Sequence, residues 1–116
     1  ETKDTVSFFS FYDVTEKIFK LTSNKSFVIS DKVEGLQKIY GDSVVCADET
    51  DLLDKVKYFI DSPAKSMKYI SGAYKITMES HTYFDRVVSI FENLGMKSEV
   101  GNVIRGKVNF FKENHL

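Results

Sequence analysis

A small group of charged and hydroxyl side chains near the start of the chain has the composition of a phosphate-binding site. Its members are Thr15, Glu16, Lys17, Lys20 and Lys25. The sequence EKIFKLTSNKSFVISD, which holds the last four, is typical of a helix, a polar turn and a short apolar strand. Ammonium groups meet phosphate oxygens as point charges, and free N–H groups at a helix start favour anions. The pattern predicts an anion site, with solvated surface lysines at positions 20 and 25 as the alternative.

A second dense group of charges is the segment DETDLLD, which follows the apolar run SVVCA. Four acids within seven residues could bind a cation. Acids in a first turn also stabilise a helix N-terminus through its dipole, and we favour that explanation. The sequence therefore predicts a capped helix here rather than a metal site.

The remaining residues with chemical potential are few. His81 and His115 lack cysteines or carboxylates at metal-ligand spacing, so no metal site is predicted. We expect His81 at a helix junction with a ring hydrogen bond to the backbone, Arg86 paired with a nearby carboxylate, and Cys46 buried as a small hydrophobe. The carboxylate candidates for Arg86 are Glu79, Asp85 and Glu92. Neither G-x-G-x-x-G nor G-x-x-x-x-G-K-[ST] occurs, which excludes the dinucleotide fingerprint and the P-loop, and no cofactor is predicted.

The elements that must position these residues follow from apolar patterning. Three short apolar runs predict strands, separated by helical stretches, and this alternation predicts a small parallel sheet. The predicted strands are Val6–Phe11, Phe27–Ser30 and SVVCA. Phe8, Phe9, Phe11, Phe19 and Phe27 are expected in the core around that sheet.

The second half of the chain is predicted to be mainly helical. A helix after Asp51 ends at the only proline, Pro63, and ESHT marks a bend between two further helices that form a hairpin. Gly95 ends the second of these. The tail after Gly95 carries two further glycines and is expected to be partly helical.

Bulk composition limits the classes of function. The chain has 116 residues, 42% hydrophobic, and a formal net charge of −1. One domain with a genuine core is expected, with no general attraction for nucleic acid and no segment long enough to span a membrane. One cysteine fits a reducing, cytoplasmic location. The first residue is Glu rather than Met, which suggests a processed chain or a piece of a longer one.

Three segments together resemble a known family: EKIFKLTSNKSFVISDKVEGLQKIYGD, DETDLLDKVKYFIDSP and SGAYKITMESHTYFDRVVSIF. They are similar to the C-terminal domain of group 1 glycosyltransferases of the two-domain GT-B fold, in the spore-maturation-protein-like subset. The most specific match is HTYFDR, residues 81–86. The resemblance implies a Rossmann-like α/β domain, a small parallel sheet flanked by helices with a long C-terminal helical hairpin.

The resemblance also implies a ligand. Such domains bind a nucleotide-diphosphate sugar at the C-terminal ends of the strands, with the diphosphate above residues 13–17. Thr15 and Glu16 would supply amides, and Lys17 takes the place of the basic residue. Lys20 stands where the family has the carboxylate that accepts hydrogen bonds from the ribose, and an ammonium can only donate. Lys25 replaces the family's glycine in the turn.

Two functions follow from this. The first is a donor-binding domain that works with an N-terminal acceptor-binding domain, since such enzymes act across a cleft between two domains; this domain alone is not expected to catalyse transfer. The second is a non-catalytic interaction module that keeps the fold, has lost the donor site and docks on a partner protein. An exposed apolar patch on the helical hairpin would favour the second.

Overall fold

The computed structural model describes residues 14–116 of the chain, and helices make up most of this part. The predicted strand Val6–Phe11, Asp13 and the aromatics Phe8, Phe9 and Phe11 lie outside the described residues. The elements are α1 (Glu16–Ser23), β1 (Ile29–Ser30), α2 (Glu34–Tyr40), β2 (Val45–Cys46), α3 (Leu52–Asp61), α4 (Met67–Ser80), α5 (Tyr83–Asn93) and α6 (Lys97–Glu113). Short 3₁₀ turns at Gly41–Ser43 and Pro63–Ser66 precede β2 and α4.

The two described strands pair in parallel, as the alternation of apolar runs with helices predicts. Ile29 pairs with Val45 and Ser30 with Cys46, and the Ala47 amide donates to the Ser30 carbonyl over 2.8 Å. Each strand is only two residues long, shorter than its apolar run. The small parallel sheet is therefore confirmed for residues 14–116, and this mostly helical structure is consistent with the α/β class.

The contacts divide the chain into two compact units, residues 1–78 and Glu79–Leu116, which are described separately. The core of the first unit is a cluster of buried side chains from α2, α4 and the residue before β2, with two partly buried side chains of α1 packed against it. The buried members are Leu36, Tyr40, Val44 and Ala73, and those of α1 are Ile18 and Phe19. Phe27 contacts Phe59 with ring centres 4.5 Å apart. The core roles expected for Phe19 and Phe27 agree with these contacts. The prediction of a single domain stays a prediction.

Three buried hydroxyl groups link α1, α2 and α4 inside this core. Thr77 Oγ1 lies 2.6 Å from Tyr40 Oη and 2.7 Å from Thr22 Oγ1, and Thr22 Oγ1 donates to the Ile18 carbonyl over 2.9 Å. Each hydroxyl has one proton, and the Ile18 carbonyl can only accept. The two shorter contacts favour an order in which protons run from Tyr40 to Thr77, to Thr22 and to Ile18, so that every hydroxyl has an acceptor. Tyr40 Oη also lies 3.1 Å from Thr22 Oγ1, which allows the alternative order from Thr77 to Tyr40 to Thr22.

The second unit is a helical hairpin of α5 and α6. The ring of Phe84 near the start of α5 lies 5.6 Å from Phe110 and 6.5 Å from Phe111 near the end of α6, so the two helices are antiparallel. The bend predicted at ESHT is present between α4 and α5. The sequence predicts the hairpin from the helices on either side of that bend, whereas the helices that pack as a hairpin here are α5 and α6. The tail expected to be partly helical forms the 17-residue helix α6.

Candidate functional site

Four of the five predicted site residues lie in helix α1 or at its N-cap. Thr15 is the N-cap residue, with an extended backbone and no capping bond from its side chain, and Glu16 opens the first turn. Thr15, Glu16 and Lys17 are exposed. An acid in the first turn and a basic residue in the last complement the helix dipole, which favours this short helix.

Lys20 lies one turn after Glu16 on the same face. Its ammonium is 3.9 Å from the Glu16 carboxylate, with both side chains mostly exposed, 70% and 60%. A pair so exposed contributes little to stability, because water and salt screen it. The structure thus places Thr15, Glu16 and Lys17 at the exposed start of α1, and Lys20 in its last turn on the same face as Glu16.

Lys25 lies at the other end of α1, roughly 12 Å along an axis of eight residues that rise 1.5 Å each. Its φ of +58° is in the left-handed region that favours glycine. The Ser26 amide donates to Leu21 and the Lys25 amide to Thr22, the two bonds of a Schellman motif. Its ammonium lies 4.8 Å from the centre of the Tyr74 ring. Lys25 is therefore a helix-ending residue, separate from the other four.

The acidic segment DETD caps α3, as its sequence predicts. The Asp48 carboxylate accepts hydrogen bonds from the Thr50 hydroxyl and from the Thr50 and Asp51 amides, and the Asp51 carboxylate accepts from the Asp48 amide over 2.8 Å. These bonds to its ionised form lower the pKa of Asp48 to about 2. The acids thus satisfy the amides at the start of a helix.

The HTYFDR segment is built around Asp85. Its carboxylate accepts from the Thr82 amide and hydroxyl over 2.8 Å each and from the Lys107 ammonium of α6 over 2.8 Å. Lys107 also donates to the Glu79 carbonyl, so one ammonium joins the end of α4, the start of α5 and the middle of α6. Burial alone would raise the pKa of Asp85, but the bonds from Lys107 and Thr82 outweigh it and lower the pKa below 3.8.

His81 lies at the junction of α4 and α5, where the sequence places it. Its Nδ1 is 3.1 Å from Nη2 of Arg86, which can only donate, so Nδ1 accepts and is unprotonated. Burial, and then the positive charge of Arg86, lower the pKa of His81. One contact of the His81 ring is thus to the Arg86 side chain, and Asp85, one of the carboxylates expected for Arg86, accepts a hydrogen bond from Lys107.

A cleft in the first unit brings together charged and aromatic side chains that the sequence patterns do not group. It has a volume of about 760 Å³ and runs along β2 and the 3₁₀ turn before it. Its charged and aromatic lining includes Lys32, Lys55, Lys68, Tyr58, Phe59 and Tyr69. None of the five predicted site residues lines it. The three lysines come from separate parts of the chain, so no local spacing could have identified them.

Other features of the described residues add little chemistry. Within residues 14–116, no three His, Cys, Asp or Glu side chains come together as metal ligands. Among the same residues, none of the helices combines the length and the apolar character that crossing a membrane requires. Burial raises the pKa of Cys46, so its thiol is not an activated nucleophile.

The sequence was compared with known families, curated proteins and solved structures. A family model described as Glycosyl transferase-like matches residues 2–92. No curated protein matches significantly, and neither does any solved structure. The matched residues include the first unit from α1 to β2, the capped helix α3 and nearly all of α5, with the HTYFDR segment. Because the match extends over well more than half of the chain, this protein belongs to the glycosyl transferase-like family.

Proposed function

We propose that this chain binds a nucleotide-diphosphate sugar at the start of α1 and is the donor-binding half of a glycosyltransferase of the GT-B type, in the spore-maturation-protein-like subset. The observation that carries the proposal is the family match over residues 2–92. The parallel strands β1 and β2 support it, because ligands of open α/β sheets bind beyond the carboxyl ends of the strands.

The start of α1 has suitable chemistry for a diphosphate. The Thr15 side chain makes no bond to the amides that begin the helix, and Lys17 is an exposed residue of the first turn. A helix N-terminus and a nearby cation both stabilise negative charge. In glycosyl transfer the sugar–phosphate bond breaks and its electron pair stays on the diphosphate, so these groups would offset the charge of the leaving group without a metal.

Lys20 weakens the site in this proposal. A carboxylate at this position would accept hydrogen bonds from ribose hydroxyls, whereas the Lys20 ammonium can only donate and lies near Glu16. We expect the ribose to contribute little and the affinity to be modest. Transfer would need an acceptor-binding domain as partner, and we place the protein in the cytoplasm.

The test is an NMR titration of the 116-residue chain with UDP, GDP and their sugar conjugates. Saturable shifts at residues 15–20 are expected, and Lys17→Ala should abolish them because it removes the cation beside the diphosphate. Lys38→Ala, at an exposed lysine paired with Glu34 on α2, is the matched control and should bind as the unchanged chain does. The absence of saturable binding at millimolar ligand would refute the donor site.

A second candidate, the interaction module, is favoured by the apolar surface of the hairpin. Tyr83 is 74% exposed, Leu94 65% and Ile90 57%, and the described α6 adds Ile104 and Val108. An apolar groove of about 310 Å³ lies among Tyr83, Phe84, Val87, Val103 and Gly106. If no nucleotide sugar binds, this surface becomes the basis of function, and its partner would be a protein.

A further inference from the structure

The cleft along β2 gathers positive charge in a chain whose net charge is −1. Lys32 follows β1, Lys55 projects from α3 and Lys68 is in the first turn of α4. The acidic side chain in the lining is Asp42, so the three lysines and one aspartate of the lining sum to +2. Asp51, outside the lining, pairs with Lys55 and offsets one of these charges. Like charges that converge on one cleft repel one another unless an anion lies between them.

Lys55 has a fixed place in this cleft. Its ammonium donates to the Cys46 carbonyl over 2.6 Å and pairs with Asp51 at 3.0 Å. Alternate residues of a strand direct their peptide groups to opposite edges. Because the Ala47 amide donates to Ser30 of β1, the N–H and C=O of Cys46 point away from β1. The Lys55 ammonium donates to that Cys46 carbonyl. The Cys46 amide is on the same edge of β2 as this carbonyl.

Lys32 and Lys68 are the two cleft lysines without an ion pair among residues 14–116. Both are exposed, and neither has a carboxylate within 4.0 Å among residues 14–116. Lys68 Nζ lies 5.0 Å from the centre of the Tyr69 ring, which keeps it at the wall of the cleft. The volume of about 760 Å³ is that of a small-molecule site.

We propose that this cleft binds a small phosphorylated molecule, with Lys32 and Lys68 meeting the phosphate oxygens and Lys55 and the Cys46 amide completing the set of donors. Ammonium groups from three elements can approach one phosphate from different sides, and hydrogen bonds between charged groups are stronger than neutral ones. The rings of Tyr58, Phe59 and Tyr69 give the rest of the ligand an apolar wall. This site does not depend on the one proposed at α1, since the two share no residue.

The test is an NMR titration of the 116-residue chain with inorganic pyrophosphate at constant ionic strength, kept constant with sodium chloride. Saturable shifts are expected at Lys32, Cys46, Lys55, Lys68 and Tyr69. The double variant Lys32→Ala, Lys68→Ala should bind about tenfold more weakly or worse, because two of the charges that meet the phosphate are gone. Lys57→Ala is the matched control, an exposed lysine on α3 outside the cleft lining, and should bind like the unchanged chain.

Three outcomes would overturn the proposal. Chemical shifts that rise linearly with pyrophosphate concentration, at lysines throughout the chain, would show non-specific interaction with surface charges rather than a site. Saturable binding that the double variant leaves unchanged would remove Lys32 and Lys68 from the site. Shifts confined to residues 15–20 would support the donor site and leave the cleft without a ligand, whereas shifts confined to the cleft would support this site and count against the other.

Discussion

At the scale of single residues, Lys25 has a charge that suggests phosphate binding and a backbone conformation that ends a helix. The sequence places it in the phosphate-binding group because of its charge and its position in a polar turn. The structure places it after α1 with a φ of +58°, where it forms the bonds that end the helix.

Replacing Lys25 with glycine should stabilise the first unit relative to replacement with alanine. Both changes remove the contact of the ammonium with Tyr74, but only glycine adopts a positive φ without steric cost. Lys25→Gly should be more stable than Lys25→Ala by about 1 kcal/mol, measured by urea unfolding. Equal stability of the two variants would show that the backbone at Lys25 is not strained.

The buried hydroxyl chain gives a second prediction at this scale. Thr77→Val removes the central group, so Tyr40 loses its contact at 2.6 Å and Thr22 its contact at 2.7 Å, and the longer contact of 3.1 Å between Tyr40 and Thr22 remains. Tyr40→Phe removes only the first donor. We expect urea unfolding to show a loss of about 2 kcal/mol for Thr77→Val and about 1 kcal/mol for Tyr40→Phe. A larger loss for Tyr40→Phe would mean that the protons run in another order.

At the scale of elements, the pattern of apolar runs and caps was enough to predict most helices and the parallel strand pair. The capping role of DETD could be predicted from sequence because acids at a helix start interact with the dipole of the helix that follows them. Helix α6 was harder to predict because Gly101 and Gly106 weaken its local signal. Its packing against α5, seen in the ring contacts of Phe84, offsets that cost and is a tertiary effect. The cleft lysines were missed for the same reason, since only folding brings them together.

Asp85 makes the stability of the helical hairpin depend on pH. Because its folded pKa is lowered below 3.8, the ionised carboxylate stabilises the folded state above that pH, and this contribution is lost as the pH falls through the folded value. Asp85→Asn should cost about 1 to 2 kcal/mol near neutral pH, since the bonds to Lys107 lose their charge.

The measurement for Asp85 is urea unfolding of both chains from neutral pH to below 3.8. The difference between them should shrink in acid, and Asp48, which also titrates there, cancels because both chains contain it. A difference that stays constant with pH would show that the charge of Asp85 does not stabilise the hairpin. Glu92→Gln, at an exposed acid on α5, should give no comparable difference at any pH.

At the scale of the whole molecule, burial is uneven between the two units. Every fully buried side chain among residues 14–116 lies in the first unit, including Leu36, Tyr40 and Thr77. The described residues of Glu79–Leu116 are at most partly buried, and several large apolar side chains there are mostly exposed. The family match ends at residue 92, before α6 begins, so the hairpin joins a matched helix to one outside the match.

This difference should appear in native-state amide hydrogen exchange. Local opening costs less free energy where few side chains are buried, so the amides of α5 and α6 should exchange faster than those of α2 and of α4 around Ala73. Thr77→Val should speed amide exchange around Ala73, because it loosens the better-buried core. The difference in exchange rate between the two units should then become smaller or change sign. Equal protection of both units in the unchanged chain would mean that they open together as one cooperative structure, and the hairpin would then owe its stability to more than its own contacts.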